Sequence, residues 1–204
     1  QLSLTQEELA WLKEHPVLRV SNQNDLPPMD FQIGGVPRGY SIDYLTLLAS
    51  IIGIRVEFVN GYSWEELLGL VEKKELDLIH TISRTPEREQ YMRFTDPVFS
   101  YKSMIISREE DSFASISELL PDKVLAMVKG YAETDYTIKA FPNIRIRSVA
   151  TGTDMVKLLK DRSVDAYIEG DMVFDYMNNK SMVSGLKKSG WYREFDNGKA
   201  NDLH

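Results

Sequence analysis

The sequence predicts an α/β protein built as two similar lobes, and three observations lead there. Short apolar runs suited to strands alternate with amphipathic helical patterns, as βαβ units around mostly parallel sheets require. The rhythm starts at residue 17 and restarts after the polar run "SREEDSFAS" at 107 to 115. With 43% hydrophobic and 27% charged residues, the 204-residue chain has enough apolar material for one large or two small cores.

The elements follow in order. "LTQEELAWLKEHP" predicts a short amphipathic helix ended by Pro16, either a linker from a preceding domain or membrane segment or a cover for the first lobe. "VLRVS" at 17 to 21 reads as the first strand, followed by the turn-rich "NQNDLPPMDFQIGGVPRG". A helix from about Ser41 places Ile42, Leu45, Leu48, Ala49 and Ile52 on one face and stops at Gly53. "IRVEFV" at 54 to 59 alternates like a strand. In "SWEELLGLVEKK", Ser63 and Glu66 stand at capping-box spacing, each side chain meeting a backbone N–H of the first turn. "LDLIHT" at 76 to 81 and "YKSMIIS" at 101 to 107 read as strands.

After the polar run come a short helix from about Ser115, a strand "VLAMV" at 124 to 128, a helix "AETDYTIKAF", and a strand "IRIRSV" from 144. A helix "DMVKLLKDR" and a strand "DAYIE" at 165 to 169 complete the pattern. The expected division is 1–16 as N-terminal helix or linker, 17–107 as lobe 1, 108–199 as lobe 2, and 200–204 as the start of a crossover back to lobe 1.

Composition narrows the chemistry. A net charge of -7 without a concentrated basic face argues against nucleic acid or an anionic membrane surface as partner. The absence of cysteine excludes disulfides, thiolate metal sites and a cysteine nucleophile, and is compatible with an oxidising compartment. His15, His80 and His204 stand at no metal-ligand spacing, and no phosphate-loop, dinucleotide or hydrolase-elbow pattern occurs, so no cofactor is expected. No apolar run reaches the ~20 residues a membrane span needs.

The stretch "TISRTPEREQYMRFTDPVF" at 81 to 99 is the densest in possible chemistry. Thr85 suits an N-cap and Pro86 the first helical position, so a helix is expected to begin just past a strand end, where parallel sheets place their ligands. Arg88 then falls in the first turn, with Thr81 and Ser83 offering hydroxyls beside it. Such a cradle favours a carboxylate, because a planar guanidinium donates two parallel hydrogen bonds to it. Local sequence alone equally allows Arg84 and Arg88 to be surface arginines balanced by Glu87, Glu89 and Asp96.

The stretch resembles a segment of type II periplasmic solute-binding proteins, the amino-acid-binding family 3, that reads roughly S-x-T-P-E-R followed by F-[ST]-x-P-[YF]. "LPPMDF", "GYSIDYLTLLASIIGIRVEFV", "SWEELLGLVEKKELDLI" and "VDAYIEGDMVFDYM" extend the likeness in the family's order over most of residues 17 to 178. The first helix and "VKGYAETDYTIKAFPNI" look most like the subset found as extracytoplasmic sensor domains of histidine kinases and diguanylate cyclases.

The resemblance implies two Rossmann-like lobes with a ligand cleft between them, the C-terminal return to lobe 1 being incomplete at "NGKANDLH". It implies that Arg88 holds a ligand carboxylate, with Thr81 and Ser83 at strand-end contact positions and Gln23 at a polar cleft position. Trp64 takes the place of a stacking aromatic, or else packs in the core, and Leu26 stands where relatives have an aromatic lid. In lobe 2, Tyr131 and Ala132 replace a hydroxyl pair at a helix N-terminus, where backbone N–H donation needs no particular side chain. Gly170 occupies the place of an ammonium-pairing aspartate, and one of its neighbours Glu169 and Asp171 substitutes as a ligand-binding residue if the turn shifts, although strand alternation otherwise points Glu169 away from the cleft.

The function implied is a sensor domain outside the cytoplasm, periplasmic or at the outer face of the inner membrane. It closes on an amino acid or other small carboxylate and signals to a covalently linked output domain. Three alternatives stay open: a transporter's solute-binding component, a cyclohexadienyl or arogenate dehydratase-like enzyme on the same fold, and an interaction module that binds no solute.

Overall fold

Residues 3–196 and 201–204 are described by the structure, a computed structural model. Helix α1 (Gln6–Glu14) starts at a Thr5–Glu8 capping box and buries none of its residues, with Trp11 stacked on His15. Strand β1 (Val17–Ser21) leads to the short strands β2 (Asp25–Leu26), β3 (Asp30–Ile33) and β4 (Val36–Arg38), an antiparallel meander where only turns were expected. Helix α2 (Tyr40–Ile52) ends at Gly53 in the left-handed conformation, as its sequence predicts. Gly39, at φ 124°, lets the start of α2 approach the meander: a Cβ there would lie 2.2 Å from the Met29 carbonyl oxygen.

Strand β5 (Arg55–Val59) pairs in parallel with β1. Helix α3 (Trp64–Glu72) carries the expected capping box: the Ser63 hydroxyl accepts the Glu66 N–H and the Glu66 carboxylate accepts the Ser63 N–H at 2.7 Å. Its inner face packs Trp64 and Leu67 against Leu76 and Ile82. Burial of such an aliphatic side chain stabilises by about 1.5–3 kcal/mol. Ser63→Ala is expected to lower stability by about 1 kcal/mol in a urea titration, since it removes one half of the cap. No measurable loss would mean that packing alone holds this terminus.

The strand expected at 76 to 81 does not form as such. It touches β1 through one bridge, Val20 to Leu78, and the Asp77 carboxylate takes the Arg19 N–H at 2.8 Å, where a strand neighbour would have offered a carbonyl. Thr81 then turns to φ 53°, which ends any extended run. The helix expected from Thr85 is likewise shorter than read: the Thr85 hydroxyl does cap, accepting the Arg88 N–H at 3.3 Å, but only a 3₁₀ turn over Arg88–Gln90 follows.

The second sheet begins at once. Strand β6 (Phe99–Tyr101) runs directly into β7 (Ser103–Arg108), which lies in a five-stranded sheet. The other members are β8 (Val124–Val128), β9 (Arg145–Val149), β10 (Ala166–Gly170) and β11 (Leu186–Trp191), in the order β11-β7-β10-β8-β9. Helices α4 (Ala132–Ala140), α5 (Gly152–Lys160) and α6 (Asp171–Asn179) follow β8, β9 and β10 in turn. The short helix expected from Ser115 is a 3₁₀ turn over Ile116–Leu119, with Pro121 just beyond it.

Both faces of this sheet are covered. Tyr167 joins Met155, Leu159, Phe174 and Met177 on one side, while Ala166 and Ile168 meet Ile116, Leu119 and Tyr192 on the other. That is why β10, a central strand, is buried throughout.

After α7 (Arg193–Asp196) the chain comes back as β12 (Asn201–Leu203), antiparallel to β6, and His204 exchanges backbone hydrogen bonds with Ile82. The return expected to be only starting at 200–204 thus already forms a strand within those residues. The β6–β12 ribbon carries both passages between the lobes.

Candidate ligand-binding cleft

A cavity of about 60 Å³ lies where the two lobes meet. Lobe 1 contributes Gln23, Leu26, Trp64, Thr81, Ser83 and Arg88, while lobe 2 contributes Tyr131, Ala132 and Glu169. Nine of the ten residues expected to form a site therefore line one cleft, although they come from distant parts of the chain. Asp171 does not: its carboxylate takes the N–H groups of Lys102 at 3.1 Å and Met172 at 3.0 Å, tying the start of α6 to the neighbouring strand.

Arg84 and Arg88, four residues apart, have separate fates. Arg84 is exposed and paired with Glu89, as a surface arginine would be. Arg88 is only 6% exposed; it donates to the Ser83 carbonyl at 2.6 Å and to the Gly130 carbonyl of lobe 2 at 2.9 Å. Burial lowers its pKa, and the carboxylate of Glu133 opposes that shift most strongly.

The Trp64 ring stands at the start of α3, pointing its edge at lobe 2. Its indole N–H also donates to the Gly130 carbonyl, at 2.9 Å, and its ring meets Tyr131 edge to face with centroids 5.8 Å apart. Arg88 lies 5.9 Å from the Trp64 ring centroid. Trp64 is therefore both a core residue of α3 and part of the cleft wall. The Tyr131 hydroxyl donates to the Gln23 side-chain carbonyl at 3.2 Å, so a residue that lacks the expected small hydroxyl joins the lobes instead.

Below the cleft, a buried polar network sets these groups in place. Asp30, fully buried, accepts the Asn22 side-chain amide at 2.7 Å and the Gln23 N–H at 3.0 Å, with the His80 ring 3.4 Å away. Gln23 in turn donates to the Thr81 hydroxyl at 3.2 Å, and Thr81 to the His80 carbonyl at 2.7 Å. This chain of bonds explains how Thr81 is held in a left-handed conformation that a threonine rarely adopts.

Sequence reasoning missed three acidic or phenolic groups. Glu133, in the first turn of α4, accepts the hydroxyls of Tyr101 and, at 3.2 Å, Ser103. The Tyr101 ring fills the space beside Gly170, where a Cβ would lie 3.2 Å from its Cδ2. Asp25, from β2, crosses to lobe 2 and accepts the Thr153 N–H at 2.8 Å at the start of α5. The acidic first turn in "GYAETD" was the visible signal for Glu133; nothing local marked Tyr101 or Asp25.

Alternation misled on Glu169. Its Oε1 curls back to accept the Gly170 N–H at 2.9 Å, and its carboxylate lies at the cleft beside the start of α5. Burial pushes its pKa up from 4.5 to about 8, with Asp25 and Glu133 adding like charge. Burial raises Asp25 in the same direction.

A pH dependence follows. From about 4.5 to about 8 the folded chain keeps a proton on Glu169 that the unfolded chain has released, so stability falls as pH rises through that window and levels off above it. The Glu169→Gln variant is expected to remove a slope of up to about 1.4 kcal/mol per pH unit. Denaturation curves of both proteins from pH 5 to pH 9 check this; parallel curves would place the proton elsewhere.

The fold and the cleft define a class: a two-lobe solute-binding protein whose lobes are joined by a two-strand ribbon. Residues 18–195 match the bacterial extracellular solute-binding proteins, family 3, and the chain belongs to that family. It is similar to the virulence sensor protein BvgS of Bordetella bronchiseptica, 23% identical over 185 residues, which make up 88% of this chain and 15% of that protein. It therefore spans a small part of the sensor proteins it resembles. The arginine-binding extracellular protein ArtP of Bacillus subtilis is 23% identical over 166 residues, 79% of this chain and 64% of that one. Among solved structures, the VFT2 domain of Bordetella pertussis BvgS superposes with a TM-score of 0.82 at 18% identity, covering 100% of this chain and 85% of that chain. The fold is thus that of the type II periplasmic binding proteins, as the sequence predicts.

Proposed function

We propose that this chain is an extracytoplasmic sensor domain that closes on a small carboxylate, an amino acid among the candidates, and passes that closure to a membrane-linked output domain. The observation that carries the reading is Arg88, a buried guanidinium at the junction of both lobes, whose contacts would differ between a closed and an open cleft. The α4 terminus adds to it: the N–H groups of Ala132 and Glu133 precede the first helical hydrogen bonds, made by Thr134 and Asp135 to Tyr131. Similarity to a sensor protein supports a signalling role, and the family supports a location outside the cytoplasm. Among the described residues no helix is long and apolar enough to cross a membrane.

Similarity to an arginine-binding extracellular protein favours a second reading, the solute-binding component of a transporter. Both are binding functions, and we assign the chain no catalytic role: the named relatives are binding and sensor proteins.

A melting-temperature panel of amino acids and organic acids tests the reading. A ligand at about 100 times its Kd is expected to add about 2.7 kcal/mol to stability. A panel in which no carboxylate shifts the wild-type transition would leave the non-binding interaction module in possession of the field. Incubation with prephenate and arogenate, followed by product analysis, checks for turnover.

A further inference from the structure

Resting on the solute-binding reading, the geometry also sets an upper size for the solute. Gly130, in the left-handed conformation at φ 80°, turns the chain so that Tyr131 stands at the N-cap of α4. From there the Tyr131 side chain crosses the cleft. It packs against the buried cluster of lobe 2 that contains Val128 and Val173, and against the cluster of lobe 1 that contains Trp64 and Leu67. The edge-to-face contact with Trp64 holds the ring on lobe 1, and the bond to Gln23 holds the hydroxyl there. A ring so placed takes up room that the side chain of a longer solute would need.

What is left is small. One water needs about 10–15 Å³ of such a cavity, so about 60 Å³ holds about four to six atoms of that size. Widening the cleft to admit more would break bonds between the lobes. The Gly130 carbonyl would lose its Trp64 and Arg88 donors, Asp25 would lose the Thr153 N–H, and the ion pairs Glu65–Lys129 at 2.9 Å and Glu87–Lys139 at 2.8 Å would part. The two ion pairs are exposed and contribute little, whereas the partly buried bonds to Gly130 contribute more.

The walls restrict the chemistry as well. Leu26, Met127, Ile168, Met172 and Val173 give the cavity apolar sides. Arg88 is the one cation among the lining residues, and it shares the cavity with Glu133 and Glu169. A second carboxylate on the solute would therefore meet acids and no further cation.

We propose that the cleft takes short monocarboxylates of up to about six non-hydrogen atoms, the range of acetate, propionate, lactate, glycine and alanine, and that the Tyr131 ring sets this limit. Arg88 anchors the carboxylate, and the tail must fit within the space the ring leaves. A longer solute would have to displace the ring from Trp64 and Gln23.

The test is a ladder of solutes measured by isothermal titration calorimetry in phosphate buffer, which adds no carboxylate. The short members are acetate, propionate, L-lactate, glycine and L-alanine; the long members are L-glutamine, L-histidine and L-arginine. Wild type is expected to bind at least one short member and to bind every long member at least about 10-fold weaker than that one. Tyr131→Ser, in which serine still caps α4, is expected to bind at least one long member at least about 10-fold tighter than wild type does. Tyr131→Phe keeps the ring and is expected to keep the limit. The proposal is overturned, and the solute-binding reading left standing, if wild type binds a long member as tightly as the short ones. It is equally overturned if Tyr131→Ser gains no long member or if Tyr131→Phe gains one, since the ring then does not set the limit. Binding by Tyr131→Ser but not by wild type would show a cleft closed even to short solutes, and would also overturn it. If neither protein binds any member, both readings fall together. The wild-type ladder needs no variant, so it tests the size limit even if Tyr131→Ser fails to fold.

Discussion

Arg88→Ala is expected to abolish stabilisation by carboxylates and to cost the protein about 2–4 kcal/mol without any added solute. Two opposing effects decide the sign. Removing the side chain relieves the burial of a guanidinium, which the lowered Arg88 pKa records as unfavourable. Against this, the Ser83 carbonyl loses its 2.6 Å donor, and Glu133 loses the nearby positive charge that Arg88 supplies. A buried carboxylate left with hydroxyl donors but no counter-charge is the dearer of the two, so net destabilisation is expected. The Gly130 carbonyl keeps the Trp64 N–H, which limits the loss at the junction.

Arg88→Lys separates charge from shape. An ammonium is a point charge and cannot reach two divergent carbonyls while forking onto a carboxylate, so the variant should recover part of the stability and little of the ligand response. Urea denaturation at pH 7 and small-angle scattering read the two consequences, because loss of the Arg88 bridge to Gly130 should also raise the radius of gyration. Unchanged stability together with an intact carboxylate response would return Arg88 to the status of a structural arginine.

Asp30→Ala is expected to be costlier, about 3–5 kcal/mol. Its carboxylate is fully buried and accepts the Asn22 amide and the Gln23 N–H; alanine leaves the Gln23 N–H without this acceptor and the Asn22 amide with only the Phe31 carbonyl at 3.1 Å. Burial raises the Asp30 pKa, while the His80 ring and the two donors pull the other way. The effect should also reach the cleft. Gln23 links Asp30 to Thr81 on one side and to Tyr131 across the lobes on the other, so ligand affinity should weaken in proportion as Gln23 loosens. Asp30→Asn, which keeps one acceptor oxygen, should lose less. A loss below about 1 kcal/mol for the alanine variant would mean that the network relaxes around the gap.

The elements legible in the sequence were those with local causes. Ser63 and Glu66 fixed the start of α3 through a cap that needs only a three-residue spacing, and Gly53 fixed the end of α2 through its freedom at positive φ. Strands β7 to β10 of the second sheet were equally plain, β8 and β10 because they are internal to the sheet and nearly continuous in apolar residues, while the edge strand β11, with two lysines, a serine and a glycine, was not read. Elements that failed had causes outside their own stretch. Residues 76 to 81 look like a strand, but Asp77 bonds to the Arg19 backbone and the Thr81 hydroxyl accepts from the Gln23 side chain, and both partners lie outside the run. The β2–β4 meander hides among turn residues because its strands are too short to show alternation.

By itself the sequence determined the α/β rhythm and the two-lobed plan, because the alternation of short apolar runs and its restart are written along the chain, whereas Arg88 was singled out only by the family resemblance, local spacing allowing a surface arginine equally. Only the tertiary structure decided which groups share the cleft with it. Tyr101 and Asp25 are set there by the β6–β12 ribbon and by closure of the lobes, and Glu169 by the bend of its side chain at a strand end, where simple alternation no longer governs direction. The charge in the cleft follows from that assembly. One guanidinium, Arg88, and two carboxylates, Glu133 and Glu169, line the cleft, with Asp25 beside Glu169.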